Sequence, residues 1–334
     1  MGLQQQKWTI RDFQEGDSTQ VLDLLRNAFA KEFTPEWFRW RYEAPPFGEP
    51  VLHVAESFSG QIVGFRALWY WPLIFESKEI PAYQAGDLAV APDCRGQGMM
   101  LSFGKRGMEE AEKKGAWLRF GFANPGALPG AVKLGYRIVA RLPMWMQILR
   151  PIRFFSNVVL AAQGRKPAEP LSMDLDKRHF LPAQEHIHDL VRLQEKSSFP
   201  GLRTPRREEF YRWRLSHPNR PCYLVSLDGK RPLMMVHLQK ERAGGRALLM
   251  EQYIPAGSSE WKAALKMLHR SGKIHSIYAI ASHCPEGRGF DFLKGGRLQR
   301  GASPTLILQL LREEAEPFLA KAKWDFTPLD MDFF

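Results

Sequence analysis

The sequence predicts an α/β (α+β) fold with two related halves, each a central, mixed but mostly antiparallel sheet flanked by helices. Short apolar runs of strand length alternate along the chain with segments of helical spacing. A glycine-rich turn joins one of these strands to a helix, and one unusual helical pattern occurs twice, about half a chain apart. With 334 residues, of which 44% are hydrophobic, the chain is long enough for two domains with a core each.

The first half begins with a helix and a group of strands. Residues 21–29 carry apolar side chains at helical spacing, which predicts the helix. The segments that follow have the composition and alternation of strands: 51–55, 61–69, 73–80 and 83–90. We expect the last of these strands to lead directly into the glycine-rich turn.

The turn after this strand has the composition of a phosphate-binding loop. Gly96 and Gly98 lack a Cβ, so the main chain can fold closely around a ligand. At the start of the next helix, where partial positive charge collects, the main-chain N–H groups of the following residues would point into one concavity: Gly96, Gln97, Gly98, Met99 and Met100. Arg95 adds a full positive charge. The arrangement suits a pyrophosphate, although an ordinary glycine turn has the same composition.

The elements after the turn continue the alternation of helices and strands. Residues 101–114 favour a helix that ends at Gly115. Residues 117–122 alternate as a strand does, a second short helix ends before Tyr136, and residues 137–140 give a further strand.

The motif Arg95-Gly96-Gln97-Gly98, after a Leu-x-Val-x-Pro strand and before a helix, resembles the acetyl-CoA-binding motif of the GNAT N-acyltransferases. The resemblance covers about residues 7–150 and includes the order of helices and strands. Other phosphate loops fit less well, because a dinucleotide fingerprint requires glycine where Leu101 stands and no Gly-Lys-Ser/Thr ends the loop. The resemblance implies acetyl-CoA, or another acyl-CoA, as a co-substrate with its pyrophosphate in the turn.

The resemblance also implies roles for neighbouring residues. Main-chain groups of Leu88, Ala89 and Val90 would bind the acyl-CoA, and one of their N–H groups would stabilise the oxyanion of the reaction. Asn124 belongs to a segment that lies beside the pantetheine arm in the family. It either bonds an amide of that arm or caps the helix that follows.

Candidate catalytic residues lie on the strand, after the second short helix and in the tail. We expect Asp87 to act as the base or to orient a water molecule, and the alternative is a structural aspartate at a strand bulge. Ala131 replaces the tyrosine that is the family's usual acid, so Tyr136 and Tyr83 are considered as substitutes. In two-domain relatives of the aminoglycoside-acetylating type a terminal carboxylate is the base. The tail 324–334 either reaches back similarly or frays, and its apolar end favours docking.

A repeat marks the second half of the chain. The pattern of residues 36–41, Glu-Trp-Phe-Arg-Trp-Arg, recurs at 209–214 as Glu-Phe-Tyr-Arg-Trp-Arg, and a Thr-Pro pair precedes both copies. Duplication of the fold is therefore expected, with a GNAT acyl-CoA-binding domain at 1–150, a linker at 151–172 and a degenerate GNAT-like domain at 173–334. The second copy lacks an Arg-Gly-x-Gly turn, so it either shapes the acceptor cleft or gives structural support alone.

Residues 142–162 form an apolar stretch that contains two arginines. Such a stretch lies on a membrane surface or packs as a strand and a helix, and we expect packing. Its uncharged length is too short for a bilayer-spanning helix.

Charge and cysteine content limit which partners, cofactors and cell compartment the sequence predicts. The net charge of +11 is spread along the chain, and the densest basic patch, residues 203–214, has the composition of a solvated helix face, so a nucleic-acid partner is not expected. The cysteines, Cys94, Cys222 and Cys284, provide neither a disulfide framework nor a metal site. The sequence shows no signal peptide and no membrane span, so it predicts a cytoplasmic protein without a metal.

These observations favour an enzyme, an acyl-CoA-dependent N-acyltransferase that transfers an acetyl group to a primary amine of a small molecule. The tail resembles those of transferases near surface-polysaccharide pathways, which favours an amino sugar as the acceptor. Two alternatives stay open: an aminoacyl-tRNA-dependent transferase of the Fem type, and an acyl-CoA-binding protein without activity. The sequence leaves the acyl length and the oligomeric state open, and an oligomer is compatible with it.

Overall fold

The computed structural model describes residues 8–165, 175–195, 201–241, 244–255, 257–270, 274–280, 298–300, 304–321 and 324–331. The chain divides into two compact units, each made of two stretches of sequence. The first unit consists of Met1–Arg141 and Pro304–Ala322, and the second of Leu142–Ser303 and Lys323–Phe334. Each unit contains a mixed sheet with helices, which confirms the predicted fold class.

The first unit is built on a sheet of seven described strands. In spatial order they are β1 (Trp8–Asp12), β2 (Val51–Ser57), β3 (Ile62–Tyr70), β6 (Ala82–Val90), β7 (Leu118–Ala123), β17 (Thr305–Leu310) and β8 (Arg137–Arg141). Neighbouring strands are antiparallel except β6 and β7, which are parallel. The predicted strand 73–80 is instead a hairpin of β4 (Leu73–Phe75) and β5 (Lys78–Ile80), because Glu76 and Ser77 take positive φ angles and turn the chain.

The helices of the first unit are α1 (Ser18–Phe29), α2 (Pro35–Phe38), α3 (Met99–Lys113), α4 (Leu128–Lys133) and α9 (Glu316–Lys321). A π-helical turn, Arg39–Glu43, continues α2. The apolar spacing of α1 places Val21 and Leu25 in the core. Met99 and Phe103 of α3 are buried together with Val63 of β3, so the start of α3 is fixed against the sheet.

The second unit repeats this architecture. In spatial order its described strands are β10 (Phe180–Pro182), β12 (Cys222–Ser226), β13 (Pro232–Glu241), β14 (Gly244–Gln252), β15 (Ile274–Ile280), β9 (Met144–Ile148) and β16 (Leu298–Arg300). The parallel pair is β14 and β15, and the other neighbours are antiparallel. The helices are α5 (Pro151–Ala162), α6 (Ile187–Glu195), α7 (Glu208–Leu215) and α8 (Ser259–Arg270). A short parallel pair joins β11 (Leu202–Arg203) to β18 (Trp324–Asp325).

The two sheets correspond strand for strand, with the parallel pair in the same place. The repeated pattern lies in α2 and its π-helical continuation in one unit and in α7 in the other, and each copy precedes the second strand of its sheet. Arg41 and Arg214, the last arginines of the two copies, are both buried. The duplication that the sequence predicted is confirmed.

Each sheet receives one strand from the opposite half of the sequence. β17, which lies between β7 and β8, comes from the end of the chain, whereas β9, which lies between β15 and β16, comes from before residue 150. The predicted boundaries at 1–150 and 173–334 assumed that each domain uses only its own segment. The sequence pattern of a strand does not reveal such an exchange. It shows that a segment is a strand and which of its faces is buried, but not which strand lies beside it.

The apolar stretch 142–162 forms a strand and a helix that differ in burial. β9 is an interior strand of the second sheet, as expected. α5 packs against β15 along one side, as expected, but none of its residues is fully buried. Among the described residues, no helix is both long enough and apolar enough to cross a bilayer.

Candidate functional site

The glycine turn lies between the end of β6 and the start of α3. A single 3-10 turn, Pro92–Cys94, leaves the strand, and the chain then passes through Gly96 and Gly98 at φ angles of +76° and +79°. Side chains with a Cβ rarely adopt this conformation, so glycine is required at both positions. Gly98 is the N-cap of α3, a helix of 15 residues.

The main-chain N–H groups of this turn stand at the N-terminus of α3, where a helix leaves its first amides without an intrahelical partner. The amides of Leu101 and Ser102 both bond the carbonyl oxygen of Gly98, at 2.9 and 3.1 Å. Within the described ranges, the N–H groups of residues 96–100 donate no hydrogen bond. Residues 95–98 are exposed, and a Cβ built on Gly96 or Gly98 meets no atom within 4 Å. The turn is therefore an open group of donors at a helix N-terminus, which suits an anion.

The side chains of the turn stabilise its shape. Arg95 donates from Nε to the carbonyl oxygen of Val90 at 3.2 Å, and Gln97 donates from Nε2 to the carbonyl oxygen of Asp93 at 3.0 Å. Met99 is buried in the core, so its main chain alone faces the concavity, and Met100 is half-buried against the cluster around α4.

The strand that precedes the turn separates from its neighbour. β6 pairs with β7 over Ala82–Ala85, and from Gly86 onward it has no partner on that side within the described part of the chain. Leu88, Ala89 and Val90 lie in this separated segment, and the ladder with β3 contains a bulge opposite Arg66. The separation leaves an edge of main-chain groups that leads from the middle of the sheet to the glycine turn.

Asp87 lies in the bulge at a φ of +43° and is held by two partners. Its Oδ2 accepts hydrogen bonds from Arg41 Nε at 2.8 Å and from Tyr42 Oη at 2.9 Å. The guanidinium of Arg41 lies 3.8 Å above the ring of Trp69, whose indole N–H donates to the carbonyl oxygen of Arg41 at 3.1 Å. Arg41 is 2% exposed and the Asp87 side chain 20% exposed. The structural alternative for Asp87 is thus realised, and a fifth of its surface still faces solvent.

Sequence reasoning missed Arg41 and Tyr42 as partners of Asp87. The signal was present in the repeat, because an arginine recurring at the end of both aromatic copies indicates a fixed structural position. The contact itself could not be predicted, because Asp87 and Arg41 are 46 positions apart in the chain.

The candidate acid residues lie in enclosed positions. Tyr136 follows α4 and is buried, with its hydroxyl close to the buried guanidinium of Arg66. Arg119 lies 5.3 Å from its ring centre. Tyr83 is buried beside Tyr70, and burial raises the pKa of Tyr83 to about 12. Ala131, which stands at the family's acid position, is buried as well.

Two buried arginines lie close to Tyr136. Arg119 donates to the carbonyl oxygen of Gly104 in α3 at 3.1 Å and to the side-chain oxygen of Gln309 at 3.2 Å. Gln309, on the exchanged strand β17, donates to the carbonyl oxygen of Leu134 at 2.7 Å, so β17 connects α3 to the end of α4. Burial lowers the pKa of Arg66, and the nearby Tyr136 opposes that change. These residues were not anticipated from the sequence.

Asn124 acts as a cap. Its side-chain oxygen accepts from the amide of Ala127 at 2.9 Å, and its carbonyl oxygen accepts from the amide of Leu128 at 3.0 Å. Of the two roles that the sequence left open, this geometry realises capping. Contact with a pantetheine arm stays a prediction.

The corresponding turn of the second unit is closed by side chains. Ser258 accepts the amide of Trp261 on its hydroxyl at 3.1 Å, and its carbonyl oxygen accepts from Lys262 at 3.1 Å. Glu260, in the first turn of α8, is paired with Arg231 at 2.8 Å. A carboxylate at this helix start opposes an anionic ligand.

The C-terminal segment is docked in the second unit and does not fray over residues 324–331. Asp330 is fully buried and bound by Arg206, with the shorter N–O distance at 2.6 Å. The same arginine lies 3.1 Å from Glu251, which accepts the hydroxyl protons of Tyr211 and Tyr253. Burial raises the pKa of Glu251. Asp330 is therefore a structural partner, while the last three residues of the tail lie outside the described ranges.

A small cavity of about 70 Å³ adjoins this cluster in the second unit. It is lined by main-chain and side-chain atoms of β14 and of the docked tail, including Glu251, Gln252 and Thr327. The cavity has room for water molecules or a small polar group.

Two of the cysteines lie within the described residues. Cys94 is half-buried beside the core of the first unit, and Cys222 is buried, which raises the pKa of its thiol to about 12. Cys284 lies outside the described residues. No group of side chains suited to hold a metal ion occurs within the parts of the chain that the structure describes.

Comparison with known proteins agrees with this geometry. A family model described as an acetyltransferase (GNAT) domain matches residues 9–139. No curated protein matches the sequence.

Solved structures share the fold over most of the chain. One is a conserved Enterococcus faecalis V583 protein described as a probable N-acyltransferase, with a TM-score of 0.64, 12% identity, and coverage of 93% of this chain and 74% of that one. A GCN5-related N-acetyltransferase from Anabaena variabilis gives 0.62 at 12% identity, with 91% and 73% covered. N-myristoyltransferase from Saccharomyces cerevisiae, solved with bound myristoyl-CoA, gives 0.58 at 14% identity, with 93% and 80% covered. At these identities the likeness concerns the fold.

Proposed function

Residues 9–139 form a GNAT acetyltransferase domain, and from this premise we propose that the chain is an acyl-CoA-dependent N-acyltransferase. The donor is acetyl-CoA and the acceptor is the primary amine of a small molecule, with an amino sugar as the favoured class. The protein acts in the cytoplasm and requires no metal.

The observation that carries the proposal is the open turn at the start of α3. Five consecutive N–H groups, those of residues 96–100, donate no hydrogen bond among the described residues, and they stand at the positive end of a 15-residue helix. Arg95 lies beside them on an exposed surface. Such donors bind the two charges of a pyrophosphate better than a neutral ligand.

The separated edge of β6 supports the position of the acyl group. A pantetheine arm carries two amides, and the segment 86–90 offers main-chain groups without a partner strand on the side of β7. A ligand that pairs with this edge extends from the glycine turn towards Asp87. This path brings a thioester close to the bulge, where Leu88 and Val90 supply candidate donors for the oxyanion.

The reaction requires an unprotonated amine. At pH 7 only about one alkyl amine in a thousand is in that form, so removal of a proton contributes to the rate. The amine nitrogen then forms a bond to the thioester carbonyl carbon, the carbon–sulfur bond breaks, and the sulfur leaves as thiolate and takes up a proton. Asp87, fixed by Arg41 and Tyr42 but partly exposed, is the residue that we place at the proton-removing step.

Tyr136 is the proposed proton donor to the thiolate. Its hydroxyl is buried, so this role has less support from the geometry than that of Asp87. Coenzyme A can also leave unaided. The same feature favours a second candidate function, a protein that binds acyl-CoA without catalysis.

Binding and turnover are tested separately. Titration calorimetry with acetyl-CoA is expected to show one site, and release of free thiol with a panel of amines is expected to identify the acceptor. Binding without thiol release from any amine indicates the non-catalytic candidate. Absence of binding at millimolar acetyl-CoA removes both candidates and leaves the Fem-type alternative.

The turn offers a matched pair of variants. Gly98→Glu introduces a side chain and a negative charge into the donors at the start of α3, so the affinity for acetyl-CoA is expected to fall by roughly a hundred-fold or more. Gly257 has a φ of +85° before α8 in the second unit, and a Cβ built on it also meets nothing within 4 Å. Gly257→Glu therefore imposes the same strain and charge and is expected to leave the affinity unchanged. Equal losses in the two variants would contradict the proposed site.

A further inference from the structure

The gap between β6 and β7 is closed at its inner end. The two strands pair as far as Ala85 and Gly121, and beyond Ala85 the edge of β6 separates and leads to the glycine turn. A Cβ built on Gly121 would lie 3.0 Å from the carbonyl oxygen of Ala85, so the strands approach each other closely at this point. A ligand that lies along the edge from the glycine turn therefore reaches a floor of main chain next to Gly86.

One face of the sheet is covered at the same place by the indole of Trp69. This residue lies opposite Gln84 in the ladder between β3 and β6, and its ring leans diagonally along the strand over Gly86. A Cβ built on Gly86 would come within 2.5 Å of Cζ3 of that ring and 3.0 Å of Cη2. Trp69 is 1% exposed. The indole therefore lies directly against the main chain where the gap begins.

The position of this indole is fixed by the residues that also hold Asp87. The guanidinium of Arg41 lies 3.8 Å from the centre of the Trp69 ring, and the ring of Tyr42 lies parallel to it with the ring centres 6.0 Å apart. The indole N–H donates to the carbonyl oxygen of Arg41 at 3.1 Å. Because Arg41 and Tyr42 both donate to Asp87, displacing the indole also disturbs the contacts of the carboxylate.

The opposite face of the sheet is filled as well. Side chains alternate between the two faces along a strand, so Ala85 points away from the face on which Gly86 meets Trp69. Ala85 packs on the buried cluster that contains Ala131 and Tyr136. At the closed end of the gap, main chain therefore forms the floor and side chains occupy both faces.

We propose that Trp69 limits the donor to short acyl groups, acetyl and propionyl, and is thus a specificity-determining residue. The inference rests on the proposed function, in which the pantetheine arm follows the edge 86–90 and the thioester lies beside Asp87. From there the acyl chain points towards the closed end of the gap, so each further methylene group meets the indole or the main chain of Ala85. A fully packed wall excludes added methylene groups, because each one forces side chains or main chain to move.

The test compares acetyl-CoA with butyryl-CoA on the full chain. Titration calorimetry is expected to give butyryl-CoA a dissociation constant that is higher by roughly ten-fold or more, since the added methylene groups have no space beside the indole. In Trp69→Leu the smaller side chain leaves space at the wall, so the ratio of the two dissociation constants is expected to fall by roughly ten-fold. Thiol release with the acceptor amine is expected to show the same change in the ratio of kcat/KM.

Trp71→Leu is the matched control. Trp71 follows the end of β3 and is fully buried against Phe47. Its main-chain N–H donates to the carbonyl oxygen of Ala82 at 2.8 Å, which places it about 13 Å along β6 from Gly86. The variant removes the same ring and is expected to leave the ratio unchanged. Because each ratio is measured within one protein, a lower fraction of folded chain in either variant does not alter it.

The possible results separate the inference from the proposed function. Equal affinities of the unmodified chain for the two acyl-CoAs, an unchanged ratio in Trp69→Leu, or the same change of ratio in both variants would overturn the inference alone. If circular dichroism shows that Trp69→Leu is unfolded, Trp69→Phe keeps a smaller ring and is expected to shift the ratio in the same direction, and an unchanged ratio there also overturns the inference. No binding of either acyl-CoA to the unmodified chain would overturn the proposed function itself.

Discussion

Asp87 and Arg41 form a charged pair whose two members differ in exposure. The guanidinium is almost fully enclosed by Trp69 and its carboxylate partner, whereas the carboxylate retains contact with solvent. The carboxylate compensates charge on the buried guanidinium, and the aspartate has surface left for a water molecule or an amine. Asp87 thus stabilises the bulge of β6 and is also the base in the reaction proposed beside it.

The two roles of Asp87 can be separated by substitution. Asp87→Asn is expected to lower the free energy of unfolding by about 3 kcal/mol, because it removes a carboxylate that pairs with the buried Arg41 charge. It is also expected to lower kcat for thiol release at least ~10-fold while the affinity for acetyl-CoA is retained. Urea denaturation and steady-state kinetics provide the measurements.

Arg41→Met is the companion variant. It removes the charge that needs compensation but keeps the carboxylate, so kcat should fall far less than in Asp87→Asn. If Arg41→Met lowers kcat as much as Asp87→Asn does, the carboxylate acts only through the fold of the bulge.

At the scale of elements, local sequence signals predicted local structure well. The turn was predictable because Gly96 and Gly98 are required by their φ angles and Arg95 stands beside them. The hairpin at Glu76 and Ser77 was not, because neither residue type is typical of positive φ. The exposure of α5 was not predictable either, since apolar residues at helical spacing have the same composition whether a neighbour covers them or not.

The docked tail is an element whose apolar end favoured docking, although the sequence did not indicate what holds it. Its short turn is capped by Thr327, whose hydroxyl accepts the amide of Leu329 at 3.2 Å while Asp330 accepts the amide of Thr327 at 2.7 Å. The buried pair with Arg206 then fixes the turn to β14 through Glu251. This pair was not predictable from the sequence, because Arg206 and Asp330 are 124 positions apart in the chain.

The contribution of this tail to the free energy of unfolding can be measured by comparing its buried ion pair with an exposed one. Asp330→Asn is expected to lower the free energy of unfolding by about 3 kcal/mol, because Arg206 loses a carboxylate in a fully buried setting. Glu316→Gln breaks the exposed pair with Arg137 and is expected to cost less than about 0.5 kcal/mol. Comparable urea midpoints for the two variants would show that the tail contributes little to stability.

At the scale of the whole molecule, the exchange of β17 and β9 links the two units through the chain. The sheet of the first unit lacks an interior strand until residues 305–310 are in place, and Gln309 on that strand binds the buried Arg119. The duplication could be predicted from the repeated aromatic and arginine pattern. The exchange could not, because β17 has an ordinary strand pattern and its partners are almost 200 positions away in the sequence.

This arrangement predicts how fragments behave. A fragment of residues 1–150 is expected to show no cooperative unfolding and no acetyl-CoA binding, because β7 and β8 are left without the strand between them. Residues 1–141 joined by a flexible linker to residues 304–322 contain the complete sheet and are expected to fold. Circular dichroism during heating and calorimetry with acetyl-CoA distinguish the two, and a cooperative transition in the shorter fragment would contradict the expectation.

The late arrival of β17 has a consequence during translation. At 5–20 residues per second, roughly 10 to 40 s pass between synthesis of β7 and synthesis of the strand that pairs with it. During that interval the nascent first unit carries an open sheet edge, which is a site for mispairing between neighbouring polypeptides on the same messenger. A ribosome that stops before residue 305 therefore releases a first unit whose sheet lacks β17, so folding of that unit reports that translation has passed residue 310.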